Sequence, residues 1–113
     1  MPFKIDRALD QLKAESIARI NAKTGDIINA RMPFWRQLNN MTRVMELQDR
    51  GKSQWSQSDR AERDTIQSGW DWIKSVKSVS NVATAAVKAA QDYQQVYAAE
   101  KSYFDSISST MSN

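Results

Sequence analysis

The chain has 113 residues, of which 41% are hydrophobic, and its 16 basic and 13 acidic side chains give a formal net charge of +3. A chain of this length forms one small domain at most, with a limited core. It contains neither cysteine nor histidine, which excludes disulfides and removes the usual metal ligands and the usual general base. The composition predicts a protein that is not an enzyme and holds no metal or cofactor.

The distribution of charge and of apolar residues limits the partners. Residues 1–6 lack the apolar run of a signal peptide, and the sequence has no run of about 18 apolar residues that could span a membrane. The chain is therefore expected to be made and kept in the cytoplasm, without membrane contact. Basic and acidic residues alternate, so that carboxylates weaken the field that phosphate binding requires. This pattern predicts a solvated helix surface and no direct nucleic-acid contact.

A first helix is predicted over residues 5–31, because apolar side chains recur there at intervals of three and four. This stripe contains Ile5, Leu9, Leu12, Ile17, Ile20 and Ile27 or Ile28. Met32 followed by Pro33 predicts a break, since proline disfavours a helical conformation of the residue before it and suits the first turn of the next helix.

A second helix is predicted from Pro33 to Gly51, where a glycine suits a left-handed C-terminal cap. Its apolar residues are Phe34, Trp35, Leu38, Met41, Val44, Met45 and Leu47. In the loop that follows, Trp55 is expected to hold the loop against the core with its indole. Ser58 and Asp59 are expected to cap the third helix.

A third helix is predicted to run unbroken from Ser58 to about Asp105, because this stretch has no proline and only one glycine, Gly69. Such a helix would be roughly 70 Å long, more than the rest of the chain can cover. Its apolar positions are large before Ala83 and mostly small or aromatic afterwards.

The predicted core consists of Ile20, Trp35, Leu38, Ile66, Trp70 and Ile73. The predicted interface consists of Ala83, Val87, Ala90, Tyr97 and Phe104.

Together these elements predict an all-α fold. Residues 1–81 are expected to form a small helical bundle, a helix-turn-helix hairpin packed on the start of a long C-terminal helix. Residues 82–113 are expected to continue as an assembly helix with a polar tail. Because the stripe after Asn81 has no predicted partner within the chain, the molecule is expected to be elongated and oligomeric, through coiled-coil packing of identical helices or docking in a groove.

Several spaced residues resemble a helical module of tailed-bacteriophage proteins. That module has an "INA" helix, a "P-x-W-x-Q-x-N" turn and helix, and a last helix with "W-x-x-I-x-x-x-R-x-x-SN". The matching residues are Ile20, Asn21, Ala22, Ile27, Ala30, Arg31, Met32, Pro33, Phe34, Trp35, Arg36, Gln37, Leu38, Asn39, Glu46, Leu47, Trp70, Asp71, Trp72, Ile73, Lys74, Ser75, Val76, Ser80 and Asn81. The resemblance covers residues 6–82 and departs at Lys77, where arginine is more usual.

The resemblance implies association with the phage tail but no agreed biochemical activity. It therefore predicts a non-enzymatic structural component of a tailed bacteriophage particle, at the tail or the tail-fibre attachment, synthesised in the cytoplasm of the bacterial host. Its partners would be other virion proteins and further copies of itself. The alternative is a tail or tail-fibre assembly chaperone that is absent from the mature particle. A small DNA-binding or host-takeover protein would fit the net positive charge, but it does not fit the alternation of basic and acidic residues.

Overall fold

The computed structural model describes the backbone of residues 2–112 and the side chains of residues 8–108. The predicted all-α helical bundle is confirmed, because four helices contain nearly all of these residues and no strand occurs among them. The helices are α1 (Pro2–Arg31), α2 (Phe34–Arg50), α3 (Gln57–Ala89) and α4 (Tyr93–Ser112). Within this range no helix is both long and apolar enough to cross a membrane.

The break between α1 and α2 lies where the sequence predicts it. Pro33 precedes α2 with a φ of −56°, and its carbonyl accepts from the backbone N–H of Arg36 at 2.9 Å and of Gln37 at 3.0 Å. The side chain of Gln37 donates from Nε2 to the carbonyl of Met32 at 2.7 Å. One glutamine thus ties the end of α1 to the first turn of α2.

Gly51 ends α2 as predicted, with a φ of +86° that favours glycine and with its N–H donating to the carbonyl of Leu47 at 3.1 Å. Its ψ of 137° differs from that of the left-handed helical cap that the sequence predicts. A short 3₁₀ turn, Lys52–Gln54, follows. The prediction for Trp55 is confirmed: its indole Nε1 donates to the carbonyl of Leu47 at 2.8 Å and holds this connection against the end of α2.

The N-terminal cap of α3 differs from the prediction by two residues. Ser56, rather than Ser58, accepts through Oγ from the backbone N–H of Asp59 at 3.0 Å. Asp59 accepts in return through Oδ2 from the N–H of Ser56 at 2.9 Å. This reciprocal pair is a capping box with aspartate in place of glutamate, and it satisfies two backbone donors at once.

The predicted single helix after Ser58 is interrupted. α3 ends at Ala89, residues 90–92 are not helical, and α4 begins at Tyr93. Asp92 caps α4 by accepting from the N–H of Gln95 at 2.8 Å, and Oε1 of Gln95 accepts from the N–H of Gln91 at 2.7 Å. Local capping therefore stops a stretch whose composition favours helix throughout. The predicted polar tail is also helical, as far as Ser112.

The chain divides into two compact units, residues 1–27 with 75–113 and residues 28–74. The predicted boundary between residues 81 and 82 falls inside the first unit. There α4 packs on α3 and α1, which gives residues 82–108 the partner within the chain that the sequence did not predict. The side chain of Ile5, assigned to the first apolar stripe, lies outside the described residues.

A buried hydroxyl network holds α1 and α4 together in the first unit. Tyr103 is fully buried, and its hydroxyl lies 2.6 Å from Oγ1 of Thr24. Thr24 donates to the carbonyl of Ile20 at 2.9 Å, and the Tyr103 hydroxyl donates to the same carbonyl at 3.2 Å. Burial raises the pKa of Tyr103 above its ordinary value, and the bond to Thr24 opposes this shift. The phenol is therefore a neutral donor.

The residues predicted to form an external interface lie mostly in this core. Ala83, Val87 and Ala90 are buried, because α4 folds back over the end of α3. Phe104 is half-buried and meets the edge of the Tyr103 ring, with 5.1 Å between the ring centroids. Only Tyr97 of the predicted set is exposed. The prediction that this stripe has no partner within the chain is therefore wrong.

In the second unit, α2 and the first half of α3 pack around a small apolar core. Its buried members are Ile28, Met32, Val44, Leu47, Ile66 and Ile73. Gly69 permits close approach, since a Cβ placed there would lie 3.2 Å from Cε of Met32. At the end of α1, the guanidinium of Arg31 lies 4.4 Å from the centroid of the Trp72 ring, within the range of a cation–π contact.

Candidate association surface

The helix α2 has two apolar faces, and only one of them is covered in the chain. Val44 and Leu47 are buried against the second unit. The other face exposes five large side chains, with exposed fractions from 44 to 68%: Phe34, Trp35, Leu38, Met41 and Met45. We call these five residues the α2 face. They are the candidate functional site.

Ion pairs on the covered side hold α2 in place. Arg43 donates from Nη2 to Oδ1 of Asp59 at 3.0 Å and also bonds Glu62 through Nε. Arg50 donates from Nη1 to Oδ2 of Asp59 at 2.7 Å. Two arginines of α2 thus converge on one carboxylate at the start of α3, which fixes the orientation of α2 and hence of its exposed face.

The environment of Asp59 explains why it stays charged. The backbone N–H of Ser56 contributes most to lowering the pKa of this carboxyl below its ordinary value, and the Ser56 hydroxyl and Arg50 add to the effect. Burial acts in the opposite direction. A carboxylate that accepts several hydrogen bonds, two of them from arginines, resists protonation. Asp59 therefore holds α2, and with it the α2 face, in a fixed orientation.

The exposed apolar area of the α2 face can be compared with that of other monomeric proteins. Side chains of roughly 200 Å² each, about half exposed, leave about 600 Å² of apolar surface in one patch. That matches the largest patches found on monomeric proteins, which are often binding sites. Single exposed hydrophobic residues need no explanation, but five neighbours along twelve residues of one helix do.

The six residues predicted to form the core differ in burial. Ile20, Ile66 and Ile73 are buried, and Trp70 is half-buried. Trp35 and Leu38 are exposed, at 64% and 44%, so their assignment to the core is wrong. Both lie on the α2 face, pointing away from the residues through which α2 contacts α3.

Sequence reasoning placed Phe34, Met41 and Met45 in the apolar stripe of the second helix and preferred core filling to an adaptable binding groove for the methionines, although a signal for a surface role was present. At 100° per residue, Phe34, Leu38, Met41 and Met45 fall within an arc of about 60°. Val44 and Leu47 lie about 90° and 150° from the centre of that arc. Trp35 lies about 90° from the same centre on the opposite side from Val44. Seven apolar residues spread this widely cannot all face one core. The spacing therefore indicates a second apolar face.

The described residues form no candidate metal site. Among them, no three histidine, cysteine, aspartate or glutamate side chains are placed to hold a metal ion. Comparison of the chain with protein-family models, with curated proteins and with solved structures found no match. The class of protein defined by the geometry is a helical bundle with an exposed apolar helix face.

Proposed function

We propose that this protein is a non-enzymatic structural component of a tailed bacteriophage particle, at the tail or the tail-fibre attachment, and that it assembles through the α2 face. The observation that carries the proposal is the exposure of Phe34, Trp35, Leu38, Met41 and Met45 on one helix. An apolar helix face of this kind suits burial against another helix or a groove, not a chemical reaction.

The residues behind the phage resemblance support this proposal when their structural roles are compared. Pro33 starts α2, and Gln37 bonds the carbonyl of Met32, so both have a role within the fold. Trp35 is 64% exposed and has no comparable role. A motif that keeps a tryptophan exposed beside a rigid turn is suited to presenting that ring to a partner.

Mass spectrometry of purified particles tests the proposal. The particles are those of the phage or prophage whose genome carries this gene, and they are purified after lysis of the host. We expect the chain in the finished particle at a fixed ratio to the tail proteins. If it binds tail components in the lysate but is absent from particles, the assembly chaperone is the correct function. If it does neither, the proposal is wrong.

A further inference from the structure

The spacing of the α2 face matches the seam of a two-helix coiled coil. Phe34, Leu38, Met41 and Met45 follow one another at intervals of four, three and four residues, which is the a/d pattern of a heptad. Trp35 lies at the edge of this seam. A narrow apolar seam of three turns fits the side of another helix better than a flat protein surface or a small ligand.

A second copy of the same face would bury enough area for a specific dimer. Two faces of about 600 Å² each remove about 1,200 Å² from water, which is the lower end of the range for specific protein interfaces. The contact would be isologous, with the same residues on both sides, as in most homodimers. A second copy therefore covers the seam, with Trp35 at its margin.

We propose that the α2 faces of two chains pair antiparallel, so that Phe34 packs on the partner's Met45 and Leu38 on the partner's Met41. The inference rests on the proposed assembly role and names the first partner in it. In an antiparallel pair, a positions pack against d positions, and these two pairs satisfy that rule around one two-fold axis. Each pair sets a side chain against a flexible methionine, which adapts to its shape.

The helix dipoles favour the antiparallel orientation. The charges of α2 do not distinguish the two orientations, because its second half carries Arg43 and Arg50 as well as Glu46 and Asp49. A parallel pair would align the two helix dipoles, whereas an antiparallel pair opposes them, which favours association.

Disulfide trapping in the full-length chain tests the orientation, because the natural sequence contains no cysteine. Phe34→Cys and Met45→Cys are made separately, and each is oxidised alone and in an equal mixture. In the antiparallel pair two Phe34 positions are about 16 Å apart along the helix, beyond the reach of a disulfide. We expect cross-linking in the mixture and little in either variant alone. Efficient cross-linking of Phe34→Cys alone, or none in the mixture, would overturn the antiparallel pair.

Analytical ultracentrifugation tests the dimer itself. Leu38→Glu places a charge in the centre of the seam, and we expect it to weaken dimerisation at least tenfold while circular dichroism shows unchanged helix content. Val82→Glu is the matched control, because Val82 is 69% exposed but lies on α3 in the other unit. We expect the control to dimerise like the wild type. If Val82→Glu dissociates the dimer and Leu38→Glu does not, the α2 face is the wrong surface.

The two proposals fail in distinguishable ways. A chain that is monomeric up to about 1 mM, the weakest affinity usually relevant to specific association, yet is present in particles, overturns the dimer and leaves the structural role intact. Its α2 face then binds another virion protein. A chain that dimerises through the α2 face but neither enters particles nor binds tail components overturns the proposed function and leaves the dimer standing.

Discussion

At the scale of single residues, Glu100 shows how one side chain joins two helices. Its carboxylate accepts from Nη2 of Arg19 at 2.9 Å and from Oγ of Ser16 at 3.2 Å, so that α4 is tied to α1 at two places. The hydrogen bond from Arg19 is the main reason that the pKa of Glu100 lies below its ordinary value. Ser16 adds a smaller effect, and burial opposes it.

The lowered pKa predicts how stability depends on pH. Glu100 binds its proton less readily in the folded chain, so its contribution is complete above about pH 5 and is lost as the pH falls through the folded pKa. Glu100→Gln should lower the free energy of unfolding by about 1 kcal/mol at pH 7, a modest value because Arg19 is half exposed. The difference from the wild type should shrink by pH 3.

Thermal unfolding at both pH values measures this effect. Asp10→Asn is the control, since Asp10 is an exposed carboxyl on α1, the helix that carries Arg19. The control should differ little from the wild type at either pH. A Glu100→Gln difference that is the same at pH 7 and pH 3 would contradict the role assigned to the charged form.

The structural roles of residues that are close in the sequence could be predicted to different extents. The role of Pro33 follows from its own ring, and that of Gly51 from its freedom to adopt a positive φ. Trp35 and Leu38 were assigned to the core because large apolar side chains are usually buried. Their exposure depends on where α3 lies, which is a tertiary property that single residues do not encode.

At the scale of elements, the turn between α3 and α4 is the feature that sequence reasoning missed. The stretch is rich in alanine, and summed helix propensity outweighed the one local signal. That signal is Asp92 followed three residues later by Gln95, the pattern of an N-terminal cap. In the structure Asp92 accepts from the N–H of Gln95, Gln95 accepts from the N–H of Gln91, and α4 turns back onto α1 and α3.

Removal of the cap should destabilise the fold. Asp92→Ala leaves the N–H of Gln95 without its side-chain acceptor and should cost about 1 kcal/mol. For a domain of this size that corresponds to a fall in Tm of roughly 4–8 °C. Gln94→Ala, at an exposed position two residues away, should stay within about 0.5 kcal/mol of the wild type. Equal Tm values for the two variants would show that the cap does not hold the turn.

At the scale of the whole molecule, the apolar surface that the structure leaves uncovered is not the one that the sequence predicts. The stripe beginning at Ala83 was expected to remain uncovered, but α4 and α1 bury most of it. The uncovered apolar face lies instead on α2, among residues assigned to the core. The sequence contained the spacing of both faces. It could not show which one the chain would cover, because that depends on the fold-back at residues 90–92.

The burial of the stripe after Ala83 also changes the expected effect of deleting residues 82–113. Residues 82–113 supply Val87, Val96, Tyr103 and Ile107 to the core of the first unit. Their deletion, expected from the sequence alone to leave a folded bundle, would expose Ile20 and remove the partner of Thr24. Substitutions on exposed positions are therefore the appropriate way to separate folding from assembly.

The most direct measurement is the copy number of the chain in purified particles when the gene carries Leu38→Glu or Val82→Glu. Quantitative mass spectrometry should find Val82→Glu at the wild-type level and Leu38→Glu reduced at least tenfold, while both variants accumulate as folded protein in the host. That result would place the assembly function on the α2 face. Leu38→Glu at the wild-type level in particles would contradict the account.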